Sequence, residues 1–159
     1  GVTGWSVKPR AVFGQTWTAP PKFHALADPS SDAETHLVAT IQCDDGIAIH
    51  YERGEMMTSS PRLSWQLVGS EGSLDLEMVQ AEKKIEFHKA VSETGVVSET
   101  VWEGTDDLKV VHAGPITDFA RAIRDGRQPK TSLEQALVVQ QITDAIYESA
   151  KTGKSAEIN

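Results

Sequence analysis

Apolar and polar positions divide this chain into two regimes. From Lys8 to about Trp102 apolar residues alternate with polar ones, or form short β-rich stretches cut by turn residues. From Gly114 to Gly153 the apolar period becomes that of a helix. The first predicted strand is Arg10–Thr18, with Ala11, Val12, Phe13 and Trp17, and it is closed by Ala19-Pro20-Pro21, which cannot donate to a ladder. A loop through Lys22, His24 and Asp28-Pro29-Ser30-Ser31-Asp32 follows. Leu37, Ala39, Ile41 and Cys43 then share one face, and Ile47, Ile49 and Tyr51 alternate after Asp44-Asp45-Gly46. Asp-Gly supplies the positive φ values of a tight turn, so this segment reads as a hairpin. Leu63–Val68 and Ser73–Glu77 flank Gly69-Ser70-Glu71-Gly72 as a second hairpin. Lys84–His88 and Val96–Trp102, joined by Glu93-Thr94-Gly95, complete an antiparallel set.

The helical part begins at Gly114-Pro115, where proline suits a first helical position, and Ile116, Phe119, Ala120 and Ile123 share a face. Gly126 reads as its stop. Ser132 with Gln135 forms a capping box before a second stripe that includes Val138, Ile142, Ala145 and Ile146 and ends at Gly153. A short last strand is placed at Ala156–Ile158. The predicted class is α+β: a large, mostly antiparallel open sheet with two C-terminal helices packed on one face. Two stripes cover one sheet face, so the other must be polar or serve as a contact. Thr40, Gln42, His50, Val38 and Ala48 are its candidates, with tryptophans nearby.

Composition narrows the function. With 159 residues, 39% hydrophobic and 24% charged, one domain is expected, burying about 69% of its unfolded surface. A net charge of −8 disfavours a nucleic-acid partner. No apolar run reaches the ~20 residues a membrane helix needs. The single cysteine, Cys43, offers neither a disulfide nor a cysteine metal site, and reads as a small buried hydrophobe. His24, His36, His50, His88 and His112 lack the spacings of metal ligands, so no metal site is expected. His36 and His50 flank the hairpin, in a position to face each other across the sheet. Ser70 is not in a nucleophile elbow, and Asp44-Asp45 and Asp106-Asp107 read as solvated turns. No catalytic residue is assigned.

A family resemblance enters at the helical tail. Pro115-Ile116-Thr117-Asp118-Phe119-Ala120-Arg121-Ala122-Ile123-Arg124-Asp125-Gly126 resembles the F-x-x-A-I-R-x-G helix of Gfo/Idh/MocA oxidoreductases. Leu137, Ala145, Glu148-Ser149-Ala150 and Gly153-Lys154 are similar to that family's closing helix and last strand. Asp45-Gly46 resembles its hairpin, and Gly69-Ser70-Glu71-Gly72 its G-T/S-E-G turn. The four pieces occur in the family's order across most of residues 5–158.

The resemblance implies that residues 1–159 are the C-terminal substrate and oligomerisation domain of an NAD(P)-dependent oxidoreductase. An N-terminal Rossmann domain, absent from this chain, would bind NAD or NADP. The reaction implied is hydride transfer between the nicotinamide and a sugar, polyol or related secondary alcohol, in a cytoplasmic homo-oligomer joined through the sheet. No G-x-G spacing occurs here, so the dinucleotide fingerprint is missing. The family's Glu-Lys-Pro triplet is missing too, since Glu82-Lys83-Lys84 differs from it, and the resemblance puts the catalytic helix before residue 1. The chain alone is therefore expected to bind no cofactor and to be inactive. In the resembled fold, strand-end loops close over substrate, which makes Lys22, His24 and Arg62 the candidate donors to substrate hydroxyls. A stand-alone, non-catalytic binding or oligomerisation module is the alternative, and a native start near residue 1 would favour it.

Overall fold

The computed structural model describes residues 5–58, 65–77, 82–105 and 107–159. The chain divides into two units, Gly1–Ser60 with Thr131–Asn159, and Pro61–Lys130.

The first unit holds β1 (Pro9–Trp17), β2 (His36–Cys43), β3 (Ala48–Gly54), β8 (Ala156–Glu157) and the helix α2 (Leu133–Thr152). Its sheet runs β3-β2-β1-β8, and every pairing is antiparallel. The Asp44–Gly46 turn that joins β2 and β3 has Asp45 at φ 59° and Gly46 at φ 73°, as the Asp-Gly signal requires. Arg10 clamps it from β1, with Nε and Nη2 donating to the two Asp44 carboxylate oxygens at 2.5 and 2.9 Å. The core lies between this sheet and α2: Val12, Ala39 and Ile41 meet Ala145 and Ile146, with Cys43 and Ile142 packed at its edge. Burial pushes the Cys43 thiol up from its usual value, and Asp44 adds to the effect.

Strand and helix meet closely at Gly14, where an added Cβ would lie 3.0 Å from Ile146 Cγ2. Beside it, the fully buried Ser149 accepts from the Gly14 N–H at 2.9 Å and donates to the Lys154 carbonyl at 2.6 Å. β8 pairs with β1 only at Ala11 and Val12. The serine therefore satisfies an amide that the short strand does not reach. The predicted capping box is present: Ser132 Oγ accepts from Gln135 N, and Gln135 Oε1 accepts from Ser132 N.

The second unit holds β4 (Trp65–Val68), β5 (Gly72–Glu77), β6 (Glu82–Val91), β7 (Gly95–Thr105) and α1 (Leu108–Asp125). Its sheet runs β4-β5-β6-β7, antiparallel throughout. Strand register puts Trp65, Leu67, Leu74, Leu76, Ile85 and Phe87 on one face. The other carries Gln66, Asp75 and His88, with Gln66 donating to Asp75 at 2.7 Å.

The α+β class and antiparallel pairing agree with the sequence reading, realised as two four-stranded sheets. The helices are divided between the units. Helix α1 starts earlier than expected, at Leu108, where the Asp107 carboxylate accepts from Lys109 N. Pro115 is therefore inside the helix rather than at its first position. Gly114 makes this tolerable, because it has no Cβ to clash with the proline ring.

Candidate functional site at the strand ends of the first sheet

The sequence candidates Lys22 and His24 follow β1. Pro20 and Pro21 cannot extend the ladder, and the chain turns into a short 3-10 helix, Pro21–Leu26, where sequence suggested only a loop. The Phe23 amide donates to the Pro20 carbonyl at 2.8 Å and the Ala27 amide to the His24 carbonyl at 3.2 Å. Residues two apart on such a turn point to different sides. His24 Nε2 donates back to the Ala19 carbonyl at 2.8 Å, which leaves Nδ1 as the outward nitrogen. Lys22 is exposed to solvent. Arg62 lies outside the described residues.

The same end of the sheet gathers a set that the sequence reading did not connect. Trp17 ends β1 directly opposite His36, which opens β2. Their rings stack with centroids 4.9 Å apart and planes at 27°. His36 Nε2 donates to Glu52 Oε1 of β3 at 3.0 Å. Opposite His36 in β3 is Gly54. Met57 folds over it so closely that a Cβ on Gly54 would collide with its sulfur. Two backbone bonds of 2.9 Å, Thr35 N to the Trp17 carbonyl and Glu55 N to the Thr35 carbonyl, hold the three strand ends together. Among the described residues, the Thr35 hydroxyl oxygen is buried there without a hydrogen-bond partner. From α2, Tyr147 donates to Glu34 Oε2 at 2.8 Å, and this bond to the carboxylate raises its hydroxyl pKa.

The signal for this cluster was in the hairpin. Once Asp45-Gly46 sets the register, Val38 faces Glu52 and Thr40 faces His50. Trp17, His36 and Glu52 then share the sheet face away from α2 with Phe13, Thr40 and His50. The same register separates His36 from His50: they do not face each other, and His50 Nδ1 instead lies 3.1 Å from Thr40 Oγ1. Among the described residues, no three His, Cys, Asp or Glu side chains converge to hold a metal ion. A concave surface beside the Gly69–Gly72 turn, lined by Leu67, Leu74 and Phe87, offers Glu71 but no basic donor.

Dinucleotide binding demands open amides at a helix N-terminus after a glycine-rich turn. Both helix starts described here are filled from within. Asp107 puts a carboxylate on the α1 amides, while Ser132 and Gln135 occupy the start of α2, with Glu134 in its first turn. These caps take up amides that an anion-binding helix start leaves open. What the first sheet does present is a stacked indole, an imidazole and a carboxylate at one strand end, next to a turn bearing an ammonium and a second imidazole. Such a set carries hydrogen-bond donors and acceptors beside an aromatic face. None of the described helices is long and apolar enough to cross a membrane.

Comparison with known proteins places the chain in context. Residues 10–158 match the family described as the oxidoreductase family, C-terminal alpha/beta domain, of the Gfo/Idh/MocA group. A 64-residue stretch is 38% identical to D-xylose 1-dehydrogenase (NADP(+)) 2 of Haloferax volcanii, covering 40% of this chain and 18% of that protein. Among solved structures, levoglucosan dehydrogenase in complex with NADH aligns with a TM-score of 0.72 at 18% identity, over 96% of this chain and 45% of that one. An oxidoreductase domain protein from Kribbella flavida aligns with a TM-score of 0.69 at 17% identity, over 96% and 46%. The chain thus spans less than half the length of each of these relatives.

Proposed function

This chain belongs to the Gfo/Idh/MocA oxidoreductase family as a C-terminal alpha/beta domain, and we propose that it forms the substrate-side wall and subunit contact of a nicotinamide-dependent sugar or polyol dehydrogenase. The cofactor, NAD or NADP, and the proton-transferring lysine belong in this reading to an N-terminal nucleotide-binding domain of the parent protein. Lys22 and Arg62 donate to substrate hydroxyls, His24 accepts from one through Nδ1, and no residue of this chain takes part in the hydride step. The family match along residues 10–158 carries the reading. The similarity to a xylose dehydrogenase and the fold shared with levoglucosan dehydrogenase support the carbohydrate class.

The homo-oligomer is assigned to the part of the sheet face away from α2 that lies toward the Asp44–Gly46 turn, clear of Trp17 and Glu52. Exposed Phe13 lies there among Thr40 and His50, a mixture suited to an isologous contact.

The test is steady-state kinetics of the full-length parent with NAD+ and NADP+, over D-xylose, D-glucose and their polyols. Saturable turnover of a carbohydrate is expected. Replacement of Lys22, His24 or Arg62 by Ala should raise KM severalfold with kcat kept, since a lost hydrogen bond in a uniform binding contact is worth ~1 kcal/mol. Absence of turnover with every carbohydrate and either cofactor would overturn the reading.

A further inference from the structure

We propose that Trp17 is a stacking platform for a sugar in its ring form, with Glu52 accepting from a ring hydroxyl. This deepens the proposed function and rests on its carbohydrate class.

One face of the indole is covered by His36, at 4.9 Å and 27°, and His36 is itself held by its bond to Glu52. The ring is therefore braced from the β2 side and needs no ligand to order it. Its other face is the one turned from His36. Among the described residues no strand pairs with β1 on that side at this position, because β8 pairs only with Ala11 and Val12. Trp17 accordingly remains 46% exposed, although it is stacked on one side.

The chemistry selects the ligand. An aromatic face carries negative charge density and attracts the weakly positive C–H bonds that line one side of a pyranose. A ring presents those bonds together, in a plane that matches the indole. An open-chain polyol must lose internal rotations to do the same. Glu52 uses one oxygen for His36; its side chain is 59% exposed, and the other oxygen can accept from a hydroxyl at the rim of the stacked ring. Lys22 and His24 lie on the turn that follows Trp17 in the chain, and both are already assigned to substrate hydroxyls. The site is an aromatic floor with a carboxylate at one edge and the Lys22 ammonium at another, and it favours cyclic aldoses over polyols.

Two readouts test this. In the full-length enzyme, Trp17→Ala should raise KM for D-xylose and D-glucose by about tenfold, the scale of one aromatic contact of ~1.4 kcal/mol. KM for xylitol and sorbitol should change less than twofold, and kcat should be kept for all four. Trp17→Phe should recover most of the loss, because it keeps an aromatic face, and Glu52→Gln should weaken ring sugars without loss of fold. Equal KM changes for rings and open chains, or none, would overturn the proposal. So would a Trp17→Ala protein that changes only its oligomeric state. The second readout is saturation-transfer NMR on the 159-residue chain with methyl β-D-xylopyranoside. Transfer to the ring C–H protons that vanishes with Trp17→Ala supports the platform even if the parent shows no dehydrogenase turnover. No transfer, or transfer unchanged by the substitution, refutes it independently of the enzyme assay.

Discussion

Replacing Ser149 with alanine probes the joint on which the first unit depends. The hydroxyl is fully buried and bridges the Gly14 amide and the Lys154 carbonyl at 2.9 and 2.6 Å. Gly14 sits in β1 beyond the reach of β8, so alanine at 149 leaves its amide buried without an acceptor, at a cost of roughly 1–3 kcal/mol. The Lys154 carbonyl is only part-buried, and its lost bond adds about 1 kcal/mol after hydration. The sum, about 2–4 kcal/mol, corresponds to a urea midpoint lower by about 1–2 M for a slope near 2 kcal/mol/M. The Gly14 amide should also lose its protection in hydrogen exchange. A complementary change, Gly14→Ala, keeps the hydrogen bond but drives a Cβ to 3.0 Å from Ile146 Cγ2, costing roughly 1–3 kcal/mol by overpacking. A Ser149→Ala midpoint within about 0.3 M of the parent, with Gly14 still protected, would refute the account.

Three further outcomes are expected. The Asp44 carboxyl, held below the usual carboxylate range by its bonds to Arg10, contributes stability that is complete above the unfolded value of about 3.9 and is lost as pH falls through the lower folded value. Asp44→Asn should therefore flatten the acid limb of a stability-versus-pH curve, and NMR titration of Asp44 should find a depressed pKa. Gly153 ends α2 at φ 66°, so Gly153→Ala should cost roughly 1–2 kcal/mol in thermal or urea unfolding, because a Cβ is strained in that region. Calorimetric titration of the 159-residue chain with NADH should show no saturable binding, since Asp107, Ser132 and Gln135 already fill the helix starts a pyrophosphate would need.

What was legible in the sequence was local. The Asp45-Gly46 turn, the Ser132–Gln135 box and the stops at Gly126 and Gly153 are each dictated by a few neighbouring residues whose backbone angles or hydrogen bonds have one economical solution. Alternation then set which strand residues share a face, because a pleated strand has a period of two. The start of α1 was less legible, since Gly114-Pro115 serves equally as an entry or as an interior step. The choice fell to Asp107, which caps the Lys109 amide.

The candidate site was half visible. Lys22 and His24 stood out as basic residues after a Pro-Pro break, yet the 3-10 turn and the bond from His24 to Ala19 determine which atoms face outward. Trp17, His36 and Glu52 are distant in sequence and meet only through the registers of β1 with β2 and of β2 with β3. Ser149 is a helix residue whose role exists only because α2 crosses β1 where β8 has ended. Such contacts depend on which strand lies beside which and how closely a helix approaches. Local chemistry therefore decided the elements of this protein, and their pairing in three dimensions decided which side chains meet at its strand ends.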